Sequence, residues 1–378
     1  MKVSCIQDNL SKGLAIVGRA VATRSTMPIT QNILITAKST GLTLAATNLE
    51  ITITCDVAAE VSEEGSITVP ARLLAEFVSS LPSDTINISL PADGRTLELK
   101  CARYNARING MDAKDFPKMP AVSDGLNIKI EPDALRLAIG QVVFAAATED
   151  SRPVLTGVQA DFTEGGLTLA AADGFRLAVH KTKLPKPLAE DMSLIIPAKS
   201  LSELNRLLAD QEKTIDIAIN SSRSQILFNL KGVQMVSQLI SGAFPNYSQL
   251  IPQGHNTRAV VSHTDFLRAT KSASIFARDG SGIVRVQIVP KAEGADAKIM
   301  ISAQAEELGD NVSELDAEVE GEEAKIAFNS KYLSDVLSVI SQEKVILETT
   351  GSSSPGVIKP VGDDNYIHIV MPMFVQWS

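Results

Sequence analysis

Gly41-Leu-Thr-Leu-Ala-Ala-Thr47 and Gly166-Leu-Thr-Leu-Ala-Ala-Ala172 agree at six of seven positions and lie 125 residues apart. The same offset superposes Asp8-Asn9-Leu10 on Asp133-Ala134-Leu135, and Pro28 on Pro153. A second marker, a short β-rich run ending in Pro or Asn before an amphipathic segment, occurs three times. Its copies are SITVPARLLAEFVSSLP from Ser66, SLIIPAKSLSELNRLLAD from Ser193 and KIAFNSKYLSDVLSVIS from Lys325, with Pro70, Pro197 and Asn329 at the turning points. A third copy of the first helical segment, HTDFLRATKSASIFA, starts at His263. Ordered self-similarity at a fixed period marks repeated structural units. Three copies account for all 378 residues.

Each copy reads as helix, strands, then strand, helix, strands. Apolar residues at i, i+3, i+4 and i+7 predict the helices, as in Leu201, Leu204, Leu207 and Leu208 or Leu73, Leu74, Phe77 and Leu81. Stretches such as TINISL, ILFNL, VILET and YIHIVM are β-branched and partly alternating, as half-buried strands require. PADGRT and FTEGG read as turns. Two helices and about eight strands per copy predict an α+β domain with the helices covering one face of antiparallel sheet. The turn-rich MPAVSDG and IPQGHNT segments set the expected boundaries at 1–120, 121–252 and 253–378.

The composition is that of a folded chain: 44% hydrophobic, 21% charged, and only 4% aromatic, so the cores must be aliphatic. No apolar run approaches the ~20 residues that span a bilayer, and no apolar stretch follows the amino-terminal lysine as a secretory signal needs. Cys5, Cys55 and Cys101 are odd in number and lack CxxC spacing, which suits small buried hydrophobes in a reducing compartment. These features point to the cytoplasm. The net charge of −9 is matched by nine carboxylates between Ala305 and Lys325, a stretch without a basic residue. The remainder is balanced and can carry a local basic face. The acidic stretch reads as an insertion or edge elaboration of the third copy, or simply as a solvated loop.

No GxxxxGK[ST], HExxH, GxSxG or GxGxxG motif occurs. His180, His255, His263 and His368 are scattered and read as surface or strand residues, so neither a metal nor a cofactor is expected. Three equivalent domains without a catalytic constellation favour a binding scaffold over an enzyme. The basic residues on the helices say more. Lys12 and Arg19 are seven apart, as are Lys199 and Arg206, while Arg268 and Lys271 are three apart; each pair is expected to share a helix face. Arg72, Arg136 and Lys331 add one cation to each remaining helix. Any one could be an ordinary solvated charge, but their recurrence suits contacts to phosphate, which need cations and no sequence code.

The chain resembles the bacterial sliding clamps, the beta subunits of DNA polymerase III. The resemblance spans the whole sequence. It rests on Ala172-Asp173-Gly174-Phe175-Arg176-Leu177-Ala178-Val179, on the Asp115-Phe116-Pro117 and Phe244-Pro245-Asn246-Tyr247 turns, and on Val370-Met371-Pro372-Met373. It implies a head-to-tail homodimer forming a six-domain ring around duplex DNA, helices inside and sheets outside, opened by an ATP-driven clamp loader. Helix geometry agrees. Six helices side by side leave no room for a duplex, whereas twelve enclose a bore of ~26 Å, so a ring needs two chains.

By position, the resemblance implies a pocket for the polymerase and other partners. Its residues are Leu155, Ala172, Gly174, Phe175, Arg176, Leu177, Pro245, Leu250, Val370, Met371, Pro372 and Met373. Such a pocket takes an extended peptide with one glutamine and apolar side chains. Phe175 and Gln249 depart from the family pattern, and the chain extends past Met373 with FVQWS. The dimer is expected to join Arg103, Ala106, Arg107 and Ile108 to the third domain around Ile275 and Phe276, with Glu306 and Glu307 opposing Arg103 or Arg107. Arg24 and Arg152 are expected to touch DNA from loops. The rival readings are a triplicated protein-binding scaffold that never encloses DNA, and an enzyme with an unrecognised site in one copy.

Overall fold

The computed structural model describes every residue except 25, 92–93, 120–121, 123–124, 189, 279–280, 306, 308 and 378. The first repeat runs β1 (Lys2–Ile6), α1 (Gln7–Val17), β2 (Asn32–Lys38), β3 (Gly41–Thr47), β4 (Ile51–Val57), β5 (Ala59–Glu63), β6 (Gly65–Pro70), α2 (Ala71–Ser80), β7 (Thr85–Ser89), β8 (Thr96–Cys101) and β9 (Tyr104–Asn109). The second runs β10 (Gly125–Ile130), α3 (Pro132–Val142), β11 (Gly157–Thr163), β12 (Gly166–Ala172), β13 (Arg176–Thr182), β14 (Met192–Pro197), α4 (Ala198–Leu207), β15 (Ile215–Asn220), β16 (Gln225–Leu230) and β17 (Val233–Gln238). The third runs β18 (Thr257–Ser262), α5 (His263–Arg278), β19 (Ile283–Val289), β20 (Lys298–Ala305), β21 (Gly309–Gly321), β22 (Ala324–Asn329), α6 (Ser330–Ser338), β23 (Lys344–Thr349), β24 (Gly356–Pro360) and β25 (Tyr366–Val370).

Each repeat is itself a doubled β-α-β-β-β unit whose halves exchange strands. In the first, β1 pairs with β7 and β6 with β2. The second pairs β10 with β15 and β14 with β11; the third pairs β18 with β23 and β22 with β19. All these pairs are antiparallel, and the fold is α+β, three clamp domains with six α-helices. The glycine that opens each quoted repeat is needed where it stands. Gly41 and Gly166 adopt φ of 137° and 134°, and a Cβ at Gly166 would lie 2.3 Å from the Thr182 carbonyl oxygen.

Two strand pairs join the repeats: β17 lies beside β4, and β25 beside β13. By packing, the chain accordingly divides into two compact units, Met1–Asp133 with Glu203–Leu239, and Ala134–Ser202 with Ile240–Ser378. The second repeat is shared between them because β10 and β15–β17 continue the first repeat's sheet, while β11–β14 continue the third's.

The helices bury aliphatic stripes: Leu10, Leu14 and Val17 on α1, Leu333, Val336 and Leu337 on α6. The α2 stripe departs from its expected register. Ala71, Leu74 and Val78 are buried, whereas Leu73 is exposed, because a Leu-Leu pair can place only one member on the inner face. Asn329 replaces the proline of the other copies and caps α6, its Oδ1 accepting from the amides of Lys331 (2.9 Å) and Tyr332 (3.4 Å).

Most of the acidic stretch is strand and not a loop, an elongation of the third copy's counterpart to β4 and β13, which have seven residues each. Residues 309–321 form the 13-residue strand β21, paired with β20 through Gly309–Asp316 and with β18 through Ala317–Gly321. Asp310, Glu314, Asp316, Glu318 and Glu320 fall on alternate positions and are all exposed. The period of a strand sorts the charges to one face, where Lys298 and Lys344 meet Glu314 (2.9 Å) and Glu318 (2.7 Å). Glu306 lies outside the described residues.

Candidate functional site

All eleven candidate DNA-contacting cations are exposed. One expected alignment changes. Helix α1 ends at Val17, and Arg19 sits in the following 3-10 turn, Gly18–Ala20, so it does not share a helix face with Lys12. Lys199 and Arg206 do lie on one helix, α4. Five of the cations are held by carboxylates of this chain: Arg19 and Arg206 by Glu203 (3.3 and 2.9 Å), Arg72 by Glu76 (2.7 Å), Arg268 by Asp265 (3.4 Å) and Lys331 by Asp335 (2.8 Å). Lys12, Arg24, Arg136, Lys199 and Lys271 have no ion pair among the described residues. Arg152 donates to the Asp173 carbonyl at 3.1 Å.

The twelve pocket candidates all belong to the second compact unit, and they divide into a buried floor and an exposed rim. Leu155, Ala172, Leu177 and Val370 are buried. Ala172 and Leu177 belong to an apolar cluster with Ala170, Val179, Val357 and Ile369, against which Phe244, Tyr247 and Ile251 pack. Phe175 (58% exposed), Leu250, Met371 and Met373 stand open, followed by Phe374 at 87% exposure. Pro245, Gln249 and Gly174 are exposed as well. A backbone bond from Met371 N to Phe175 O (2.8 Å) ties the carboxy-terminal segment to the turn, and Met373 N reaches Ala327 O at 2.8 Å. Tyr247 donates to Asp161 Oδ2 (3.2 Å), and burial pushes its phenol up to about 12, so it remains a donor.

Asp173 organises the turn. Its Oδ1 accepts from the amides of Phe175 (2.8 Å) and Arg176 (3.0 Å), and its Oδ2 from Arg176 Nε (2.9 Å). Gly174 adopts φ 97°, and a Cβ there would meet Arg152 Nη2 at 2.9 Å. Arg176, read from sequence as a pocket residue, is buried behind the turn. It donates to Asp335 Oδ2 (2.7 Å) and Phe144 O (2.6 Å), with Tyr332 and Phe144 4.4 and 5.4 Å from its guanidinium. Nothing in the sequence pairs Arg176 with Asp335, 159 positions away.

His180 and His368 are buried on neighbouring strands, and the described residues hold no metal-ligand cluster. Burial lowers both, His368 to about 3. An unfolded histidine binds a proton below its usual pKa of ~6.5, while folded His368 stays neutral, so the folded state loses stability as pH falls from ~6.5 towards 3. Urea unfolding at pH 7 and pH 5 is expected to differ by about 2 kcal/mol from this residue, and His368→Gln should remove much of that difference. The thiols of Cys5 and Cys55 are buried and raised by desolvation to about 11, as inert hydrophobes are.

Among the described residues, the strand edges without a ladder partner include the outer edge of β9 and the edge of β21 opposite β20 over Gly309–Asp316. On β9, Arg103 (just before it) and Arg107 are exposed and Ala106 is half-buried. Ile108 is 3% exposed and faces its own core, so its side chain is not available to a partner. Ile275 is exposed and Phe276 half-buried on α5, which packs on β20 and β21.

Models of the amino-terminal, central and carboxy-terminal domains of the DNA polymerase III beta subunit match residues 1–120, 129–246 and 248–374. The beta sliding clamp of Bacillus subtilis is 33% identical over 383 residues, covering 99% of both chains. A crystal structure of the DNA polymerase sliding clamp from the same organism superposes with a TM-score of 0.93 at 31% identity over 100% of both. The Pseudomonas aeruginosa clamp bound to griselimycin gives 0.91 at 29% identity, covering 99% of this chain and 100% of that one. Triplicated fold, pocket motifs and full-length likeness agree: the chain belongs to the DNA polymerase III beta subunit family, the bacterial beta sliding clamps.

Proposed function

We propose that two copies of this DNA sliding clamp close head to tail around duplex DNA, and that the pocket of each holds the polymerase or another client by an extended peptide. The clamp is a binding protein, not an enzyme. The observation that carries the closure is that one strand joint occurs twice inside the chain while its two halves stand open at the ends. In the first joint Val233, the first residue of β17, faces Cys55; in the second Tyr366, the first residue of β25, faces His180. Cys55 and His180 each stand two residues before the strand position paired to Leu42 or Leu167. The equivalent position in β21 is Ser313, two before Leu315, which pairs with Ile299. The first residue of the free strand β9 is Tyr104.

Transposing the joint therefore sets Tyr104 of one copy opposite Ser313 of the other. Antiparallel pairing then opposes Arg103 to Glu314, Asn105 to Val312 and Arg107 to Asp310, all on the charged face of β21. These carboxylates take the place expected for Glu306 and Glu307. Ile275 stands on the helix side of the same joint. Pairing satisfies two exposed backbone edges that would otherwise invite aggregation.

The domain limits 1–120, 121–252 and 253–378 follow this reading, each domain closing on the segment that leads to the next. Lys12, Arg19, Arg24, Arg72, Arg136, Arg152, Lys199, Arg206, Arg268, Lys271 and Lys331 serve as the phosphate-facing cations. In the pocket, the apolar floor receives aliphatic and aromatic side chains, and Phe175, Met371 and Met373 adapt to many clients. Truncation after Val370 removes Met371 and Met373 with their backbone ties while leaving both joint strands whole. It is expected to abolish stimulation of the polymerase and leave the dimer intact by sedimentation; loss of the dimer would contradict the assignment.

A further inference from the structure

We infer that Asp335 couples DNA contact to the peptide pocket, an inference resting on the placement of DNA at the helices and clients at the pocket. One carboxylate oxygen, Asp335 Oδ2, accepts from two cations: Lys331 Nζ at 2.8 Å and Arg176 Nη1 at 2.7 Å. Lys331 is the exposed cation of α6, its side chain 71% accessible, and can turn to a phosphate. Arg176 is buried, and its other contacts hold the turn that carries Phe175 and Leu177: Nε on Asp173 Oδ2, whose Oδ1 fixes the Phe175 and Arg176 amides. The path from an exposed DNA-facing cation to the exposed pocket residue Phe175 thus runs through three charged side chains without a gap.

The direction follows from competition for the shared oxygen. While Lys331 rests on Asp335, Arg176 has only part of that acceptor. When a phosphate draws Lys331 away, Oδ2 serves Arg176 alone, and a charge-assisted bond at a buried donor strengthens. The turn is then held more firmly in one conformation, and a peptide binding to it loses less freedom. Clients therefore bind more tightly to a clamp on DNA than to a free one. By linkage, a bound client favours the DNA contact by the same factor. Asp335 acts here as a positioning residue and touches neither ligand.

The test measures a ratio. A fluorescein-labelled decapeptide with one glutamine followed by leucine and phenylalanine is titrated by anisotropy against free clamp, and against clamp loaded on nicked circular DNA and purified from loader by gel filtration. The expected ratio of dissociation constants is about threefold in favour of DNA-bound clamp, below the usual couplings of about 5–150-fold because Lys331 is exposed. Lys331→Gln is expected to bind the peptide without DNA as tightly as the wild type does on DNA, with a ratio near one. Asp335→Asn is expected to bind more weakly in both states, again with a ratio near one. A purely structural role for Asp335 would shift both constants and keep the threefold ratio, which would overturn the inference. So would a ratio of one in the wild type, or an unchanged ratio in Lys331→Gln, whose side chain is exposed and whose folding is not at issue. Failure of the peptide to bind any form instead sinks the pocket reading, and failure of DNA to retain the wild-type clamp sinks the enclosure reading, each taking the inference with it.

Discussion

Linearising nicked circular DNA that carries the loaded clamp is expected to release nearly all of it, while the unbroken circle retains it. The physical case is that the chain has little means of gripping DNA other than by enclosing it. Its net charge is −9, and five of its eleven candidate phosphate cations are already paired with their own carboxylates. Each of those five gives up an ion pair when it turns to a phosphate, so it adds less than a free lysine would. Exposed pairs of this kind are worth ~0–1 kcal/mol, which keeps them mobile. The clamp can then slide with phosphate contacts that carry no sequence information. With the matching loader and ATP, retention should fall by more than tenfold on linear DNA. Equal retention on both forms would overturn enclosure and favour the scaffold that never surrounds DNA.

Reversing both arginines at the proposed joint, Arg103→Glu with Arg107→Glu, is expected to convert the dimer to monomers. Each would face a carboxylate across the strands, Glu314 and Asp310. Losing two cross-strand attractions of ~0.2–1 kcal/mol and replacing them with repulsions of similar size weakens the dimer by about 100-fold. Both arginines are exposed, Arg107 with a 78% accessible side chain, so the isolated chain has no reason to unfold. Adding Asp310→Arg and Glu314→Arg should restore the dimer by recreating the pairs in reverse. Analytical ultracentrifugation of the double and quadruple variants decides it. A monomer that the second pair of changes fails to rescue would reject this register.

The two internal joints and the open one differ in a way that suits their tasks. At the β13–β25 joint the apolar cluster is built from Ala170, Ala172, Leu177, Val179, Val357 and Ile369. The matching face of the open joint offers Asp310, Val312, Arg107 and Glu98, with Arg107 already 3.0 Å from Glu98. An apolar joint inside one chain never has to part. On the proposed reading, a joint between two copies that has to open is better made of charged side chains, which water accepts when it is broken.

Much of this molecule follows from local sequence. The repeats were legible because the copies solve the same local problems: glycine where φ must be positive in the first two, Pro or Asn where a strand turns into a helix, and an apolar stripe on the helices. The pocket's motif residues and the cations were legible as residue types. The internal doubling of each repeat was not, since its two halves share a topology and almost no residues. The acidic stretch misled because nine carboxylates read as solvated chain, whereas alternation places five of them on one face of a long strand. Arg19 and Leu73 misled because helix ends and stripe phase are set by packing. Ile108 lies on the expected strand but points inward, a choice made by one residue of register. The sequence by itself determined the elements, their threefold order and the family. Only the tertiary structure decided that the second repeat is shared between two packed units and that Arg176 is buried on Asp335. Those outcomes depend on contacts between residues more than a hundred positions apart, and such contacts leave no local periodicity to read.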